Sequence, residues 1–182
     1  MTSALSPDAL LAAFSELIVA NRPDGPVLDL ASGEGHNGLF LAAEGLPVIL
    51  ADRSEEALDQ ARVALDRRPG KVTLWRIDLE KAGLNPLKEE EYSTILVFRY
   101  LHRPLVPCIR KALRAKGFLV YETYTVDQAQ FGKPRNPDFL LKPGELRNWF
   151  KDWQVLHSFE GILENPRRAI AQIVCRKPSS YF

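Results

Sequence analysis

Seven short runs rich in apolar and β-branched residues recur along this chain, at "PVLDLA", "PVILAD", "KVTLWRID", "STILVFRY", "GFLVYETY", "WQVLHSFEGI" and "RAIAQIVCR", and helical patterns fill most of the gaps between the first five. That alternation constrains the fold more than any other feature. Parallel strands need a crossover to bring the chain back to the same end of the sheet, and the usual crossover is a right-handed helix packed on one face. The expected architecture is α/β: a doubly wound, seven-stranded, mostly parallel sheet with helices on both faces. Only "LENPR" separates the last two runs, too little for a crossover, so they should close as an antiparallel C-terminal hairpin at one edge. Residues 1–182 suit a single domain with one well-formed core.

The helices have readable ends. Ser6 is placed to cap a first helix with Pro7 at its first position, followed by a stripe of Leu10, Leu11, Phe14, Leu17 and Ile18. "HNGLFLAAEG" runs to a stop at Gly45, and "SEEALDQARVALDRR" starts from Ser54 with acidic residues in its first turn and Arg67 and Arg68 in its last. "RPLVPCIRKALRAKG" opens at Pro104, carries Leu105, Ile109, Ala112 and Leu113 on one side, and ends at Gly117; Pro107 is tolerable only in its first turn. The one long polar connection, residues 124–140, follows the fifth strand at the carboxyl edge, where ligands bind in such sheets.

Composition narrows the function classes. With 46% hydrophobic and 26% charged residues the chain is neither disordered nor membrane-spanning in character. Its N-terminal stretch has no basic leader, which predicts a cytoplasmic protein. Cys108 and Cys175 lack metal-ligand spacing and read as small buried hydrophobes, so no metal is expected. A net charge of +1 neither favours nor excludes nucleic acid.

In "VLDLASGEGHNGLF" an aspartate, Asp29, sits at the end of an apolar run just before Gly33, Gly35 and Gly38. The glycines satisfy the dinucleotide pattern G-x-G-x-x-G, but a pyrophosphate site brings negative charge to this place, and a carboxylate would repel it. Asp29 suits a ligand that presents a positive group, and S-adenosylmethionine carries both an ammonium and a sulfonium. Asp52 ends the second run nineteen positions after Gly33, where a carboxylate can accept from both ribose hydroxyls. Asp78 ends the third and could accept from an adenine amino group.

Asp29 to Gly38, Asp52 and Asp78 resemble the cofactor motifs of class I S-adenosylmethionine-dependent methyltransferases, and the seven strands with a terminal hairpin match that family along nearly the whole chain. "FRYLHRPLVPCIRKAL", "GFLVYETYT" and "FGKPRNPDFLLKPGEL" further resemble a bacterial branch related to tellurite-resistance-type methyltransferases. The resemblance implies a Rossmann-like sheet and S-adenosylmethionine as cofactor, with Asp29, Ala31, Gly33, Gly35, Asp52, Arg53, Asp78 and Leu79 as its binding residues. Ala31 stands where the family often has its first glycine. The implied activity is methyl transfer, and the chain's size and near-zero net charge make a small molecule the expected acceptor. RNA methylation through Lys133, Arg135, Arg147, Arg167 and Arg168 is one alternative, and a non-catalytic cofactor-binding or partner module is another.

Methyl transfer mainly requires a positioned nucleophile and, for some acceptors, removal of a proton. His102, after the fourth strand, is the candidate general base, with a structural capping role as the alternative. Glu122, at the end of the fifth, is expected to pair with Arg99 or Arg103 and orient the substrate, or to form the same pair for purely structural reasons. Phe131, Lys133, Arg135 and Phe139 suit a lid over an anionic or aromatic substrate. His36 is assigned to the cofactor loop or its helix start, and His157 to structure.

Overall fold

A computed structural model describes residues 6–67, 71–81 and 85–179. The first helix, α1 (Ala9–Asn21), leads into β1 (Val27–Leu30), α2 (His36–Ala43), β2 (Val48–Asp52), α3 (Glu55–Arg67) and β3 (Val72–Arg76). Then come β4 (Tyr92–Phe98), α4 (Val106–Ala112), β5 (Leu113–Tyr124), α5 (Glu145–Trp149), β6 (Gln154–Leu163) and β7 (Arg168–Arg176). The strands form one sheet in the order β3-β2-β1-β4-β5-β7-β6, parallel except where β7 pairs antiparallel with β5 and β6. This is a Rossmann-like sheet, and its strand order reverses between β1 and β4, the switch point where such sheets bind ligands.

The strand period of two divides the core into two layers. Val27, Val48, Leu96, Phe118 and Val120 face one side and pack with α1, α2 and α3. Leu28, Leu30, Ile95, Val97 and Leu119 face the other and pack with α4 and α5. Each fully buried Leu or Val contributes roughly 1.5–3 kcal/mol, so the near-continuous apolar character of β1 and β4 reflects burial on both faces. Among the described residues no helix is long and apolar enough to cross a membrane.

Ser54 caps α3 as expected, its Oγ accepting from the Ala57 amide at 3.2 Å. Arg68 and the side chain of Arg67, expected at the far end, lie outside the described residues. Pro107 falls in the first turn of α4, where its missing N–H costs nothing. Two boundaries differ from the sequence reading. First, α1 begins at Ala9 with Asp8, not Ser6, in the N-cap position, and Asp8 makes no cap because its carboxylate is engaged elsewhere. Second, α4 stops at Ala112, and "LRAKG" already belongs to β5. There the register shifts from Tyr92 opposite Leu113 to Thr94 opposite Phe118, and a Cβ at Gly117 would lie 2.9 Å from the carbonyls of Ser93 and Arg114. Gly117 therefore permits a close backbone approach in an irregular strand and does not end a helix.

A candidate active site at the carboxyl edge of the sheet

Asp29 is the third residue of β1, beside Leu50 of β2 and Leu96 of β4, on the face covered by α1, α2 and α3. It is 3% exposed. Its Oδ2 accepts from the Gly38 amide at 2.9 Å, in the first turn of α2. Burial pushes its carboxyl up to about 7, with the Gly38 bond and nearby His36 opposing the rise. A Cβ at Gly38 would run into Leu50 and sit 3.0 Å from Asp29 Oδ2, so glycine lets the helix N-terminus settle directly on the strand. Gly35 lies in the left-handed region at φ +76°, and a Cβ there would meet Leu50. Ala31, in the usual glycine position, also takes a positive φ of +51°.

The next carboxylate holds the loop to its neighbouring strand. Asp52 accepts from the Gly33 amide through Oδ2 and from the Ser54 amide through Oδ1, both at 2.8 Å. Asp78 closes a local turn by accepting from the Glu80 amide at 3.0 Å. Each thus has a structural bond and still keeps acceptor capacity, since an ionised carboxylate offers about four lone-pair sites.

Three cavities meet over these residues. The first, about 220 Å³, lies between Asp52, Asp78, Ile77 and Leu79, with Ala31, Arg53, Glu80 and Tyr100 around it. The second, about 440 Å³, is lined by Asp29, Ser32, Gly33, His36, Asn37 and Arg99 among others and shares Ala31 with the first. A third of about 730 Å³ shares Arg53, Glu80 and Tyr100 with the first and Arg99 with the second, and is closed by Leu101, Tyr124 and residues 133–136 and 139. Of the expected cofactor residues, Asp29, Ala31, Gly33, Asp52, Arg53, Asp78 and Leu79 line these walls, while Gly35 is buried and lines none of them.

Asp8 organises the rim of the second cavity, a role the sequence reading missed. Its carboxylate accepts from Arg99 Nη1 at 2.7 Å and Nη2 at 3.1 Å, and from Asn37 Nδ2 at 2.8 Å, with His36 Nε2 at 3.0 Å. Its amide donates to Asn37 Oδ1 at 2.8 Å. Burial disfavours the charge on Asp8, but the bonds from His36, Arg99 and Asn37 overcome that and hold the carboxyl well below the ordinary range. The bond to Asp8 in turn raises His36. Arg99 itself sits at φ +54°, its amide donating to the Glu122 carbonyl at 2.8 Å. An acid at the start of a helix was the available signal, and the Ser6-Pro7 pattern obscured it.

The expected pairing of Glu122 with Arg99 or Arg103 is not what forms. The Glu122 side chain points along the sheet face toward its cross-strand neighbour Gln172, whose Nε2 donates to it at 2.6 Å, and Arg168 lies 3.9 Å away. Arg99 and Arg103 follow β4 and give their guanidinium groups to Asp8 and Glu145 instead. Arg103 forks onto Glu145 at 2.7 and 2.9 Å and also donates to the Asp138 and Leu140 carbonyls, fastening the wall of the third cavity. His102, half-buried ahead of a short 3₁₀ turn, lines none of the three cavities, and neither does Glu122. His157 contacts Gln172 and stacks near Phe14.

Residues 124–140 form a held strap. Buried Gln128 donates to the Lys133 carbonyl and accepts from the Ala169 amide, and Thr125 bridges to Leu141. Lys133, Arg135 and Phe139 line the third cavity; Phe131 instead lies under Arg167, 4.7 Å from ring centre to guanidinium. Of the basic residues considered for RNA, Arg167 lies on Phe131 in the strap that carries Lys133 and Arg135. Lys133 and Arg135 face the cavity, Arg147 is on α5, and Arg168 turns toward Glu122.

The model of the family described as tellurite resistance protein TehB matches residues 10–168. Hemagglutinin 1 of Eikenella corrodens is 29% identical over 138 residues, covering 74% of this chain and 46% of that protein. The probable S-adenosyl-L-methionine-dependent methyltransferase TehB of Haemophilus influenzae is 27% identical over 143 residues, 76% of this chain and 49% of its own. The chain spans about half the length of these curated relatives. The crystal structure of TehB from Haemophilus influenzae superposes with a TM-score of 0.74 at 22% identity, covering 92% of this chain and 61% of that one. An S-adenosylmethionine-dependent methyltransferase from Mesorhizobium loti gives 0.70 at 17% identity, covering 93% and 99%. At these identities the superpositions speak for the shared fold.

Proposed function

This chain belongs to the TehB family of tellurite resistance proteins, and from that premise we propose that it is an S-adenosylmethionine-dependent methyltransferase acting on a small anionic acceptor. The observation that carries the reading is the succession of carboxylates along the sheet edge. Asp78 just after β3, Asp52 at the end of β2 and Asp29 in β1 follow the edge of three adjacent strands and border joined cavities. Their donor requirements follow the cofactor from one end to the other: an adenine amino group at Asp78, ribose hydroxyls at Asp52, the methionine ammonium at Asp29.

The remaining residues fit the same ligand. Ile77 and Leu79 offer apolar walls for a ring, Arg53 flanks it, and the turns at Gly33 and Gly35 bring the backbone close. When bound, the cofactor supplies a methyl group activated by its sulfonium. The chain's part is then to hold the acceptor at the meeting of the cavities, beside Arg99 and Tyr100. The third cavity presents Arg53, Lys133 and Arg135, with Arg99 already paired to Asp8, against a single lining acid, Glu80, and Leu101 and Phe139 as apolar surface. That charge balance favours an anion, and an acceptor that arrives ionised needs no base. With such an acceptor, His102→Gln is expected to leave turnover within about threefold. A loss of about 10²-fold confined to protonated acceptors would instead make His102 the general base.

Asp52→Asn tests the ribose assignment. It keeps the shape but removes the charge and turns one of the two oxygens that accept from the Gly33 and Ser54 amides into a donor, so S-adenosylmethionine affinity should fall by about 1.5–3 kcal/mol or more. Calorimetric titration of the folded variant measures this. Unchanged affinity would reduce Asp52 to a tie for the glycine loop.

A further inference from the structure

Tyr100 stands where the first and third cavities share a wall. Its backbone carbonyl accepts from the Tyr121 hydroxyl at 3.1 Å, and its ring packs against the layer that includes Ala51, Leu79 and Leu101. The hydroxyl is different: it is buried and has no hydrogen-bond partner among the described residues. Glu80, Asp78, Arg53 and Asp52 are the charged groups around it, and burial together with the acids keeps it protonated far above the ordinary tyrosine range. It can therefore serve as a donor. A buried donor left unpaired is costly and uncommon, and three nearby acids that do not take its proton make the case sharper.

Taking the proposed methyltransferase reading as its basis, we infer that Tyr100 is a cofactor-positioning residue whose hydroxyl donates to an acceptor atom of the bound nucleoside. The first cavity otherwise offers carboxylate acceptors from Asp52, Asp78 and Glu80, and a charged donor in Arg53, to a ligand that is not all donors. Adenosine presents an amino group and hydroxyls to give, but also ring nitrogens and a ring oxygen that can only receive. Tyr100 adds a neutral donor. Its ring also separates the nucleoside from the acceptor space, so one side chain fixes the cofactor and forms part of the wall the acceptor meets.

Tyr100→Phe, which keeps the ring, separates this role from a structural one. S-adenosylhomocysteine, the unreactive product, should bind the variant about five- to tenfold more weakly by calorimetry, the ordinary range for one lost hydrogen bond. The ligand-free variant should melt at the wild-type temperature or about 1–3 °C above it, because an unpaired buried hydroxyl has been removed. Affinity equal to wild type would overturn the inference, as would a lowered melting temperature, which would mean that the hydroxyl supports the fold. If wild-type protein fails to bind S-adenosylhomocysteine at all, the methyltransferase reading falls and takes this inference with it; binding by wild type with equal binding by the variant removes the inference alone.

Discussion

Asp29→Asn is expected to make the ligand-free protein more stable at pH 8 while weakening S-adenosylmethionine binding by about 2–3 kcal/mol, roughly 30- to 100-fold. Both effects have one cause. Asp29 is a carboxyl enclosed by β1, β2 and α2, with His36, Asp8 and Asp52 as its charged neighbours, and burial raises it from an ordinary 3.8 to about 7. Because the folded-state value lies above the unfolded one, its neutral form favours folding fully below about pH 4. That contribution is lost as the pH rises toward 7, and at pH 8 the fold carries an enclosed charge. Asparagine keeps the acceptor for the Gly38 amide and removes the charge. A gain of about 2 kcal/mol, roughly 4–8 °C in melting temperature, should appear at pH 8 and vanish at pH 4. Thermal denaturation at the two pH values checks it. A variant less stable than wild type at pH 8 would mean that the buried charge is compensated within the protein.

Asp8→Ala should have the largest stability cost of any single change at the site, about 2–3 kcal/mol near pH 6, or roughly 4–12 °C. Asp8 is 15% exposed and ties α1 to the first turn of α2 and to Arg99 after β4. The pH dependence distinguishes its two ionic partners. Asp8 is held below its ordinary value, so its contribution is present above about pH 4 and fades in acid. His36 is raised, so its share is full below about 6.5 and is lost as the pH climbs through its folded-state value. The penalty should therefore be greatest between pH 4 and 6.5 and smaller at pH 9, where the Arg99 fork remains. A pH-independent difference would show that these ion pairs do not carry the attachment.

The sheet was legible because each strand is an apolar run with its own period, and the short "LENPR" link leaves no room for a crossover. The carboxylates were legible because a charge inside or just after such a run needs a reason. What the sequence concealed was of another kind. "LRAKG" has good helix formers and reads as the end of α4, yet pairing with β4 draws it into an irregular strand at Gly117. Asp8, Arg99, His36 and Asn37 come from three separated segments, and only the folded chain brings them together. The expected Glu122 pairing failed because strand ends that are neighbours in the sheet need not aim side chains at one another. Tyr100 was visible as a residue at a strand end, but an unpaired hydroxyl is a property of its surroundings.

Whether the three carboxylates hold S-adenosylmethionine, with Asp29 at its ammonium, is decided by calorimetric titration of S-adenosylhomocysteine at pH 8 and pH 6. Binding should be saturable, with one site per chain. Affinity should fall about tenfold from pH 8 to pH 6 as Asp29 takes up the proton that the ligand's ammonium must displace, and Asp29→Asn should lack this dependence. Absence of saturable binding at either pH, or equal pH dependence in wild type and variant, would contradict that assignment.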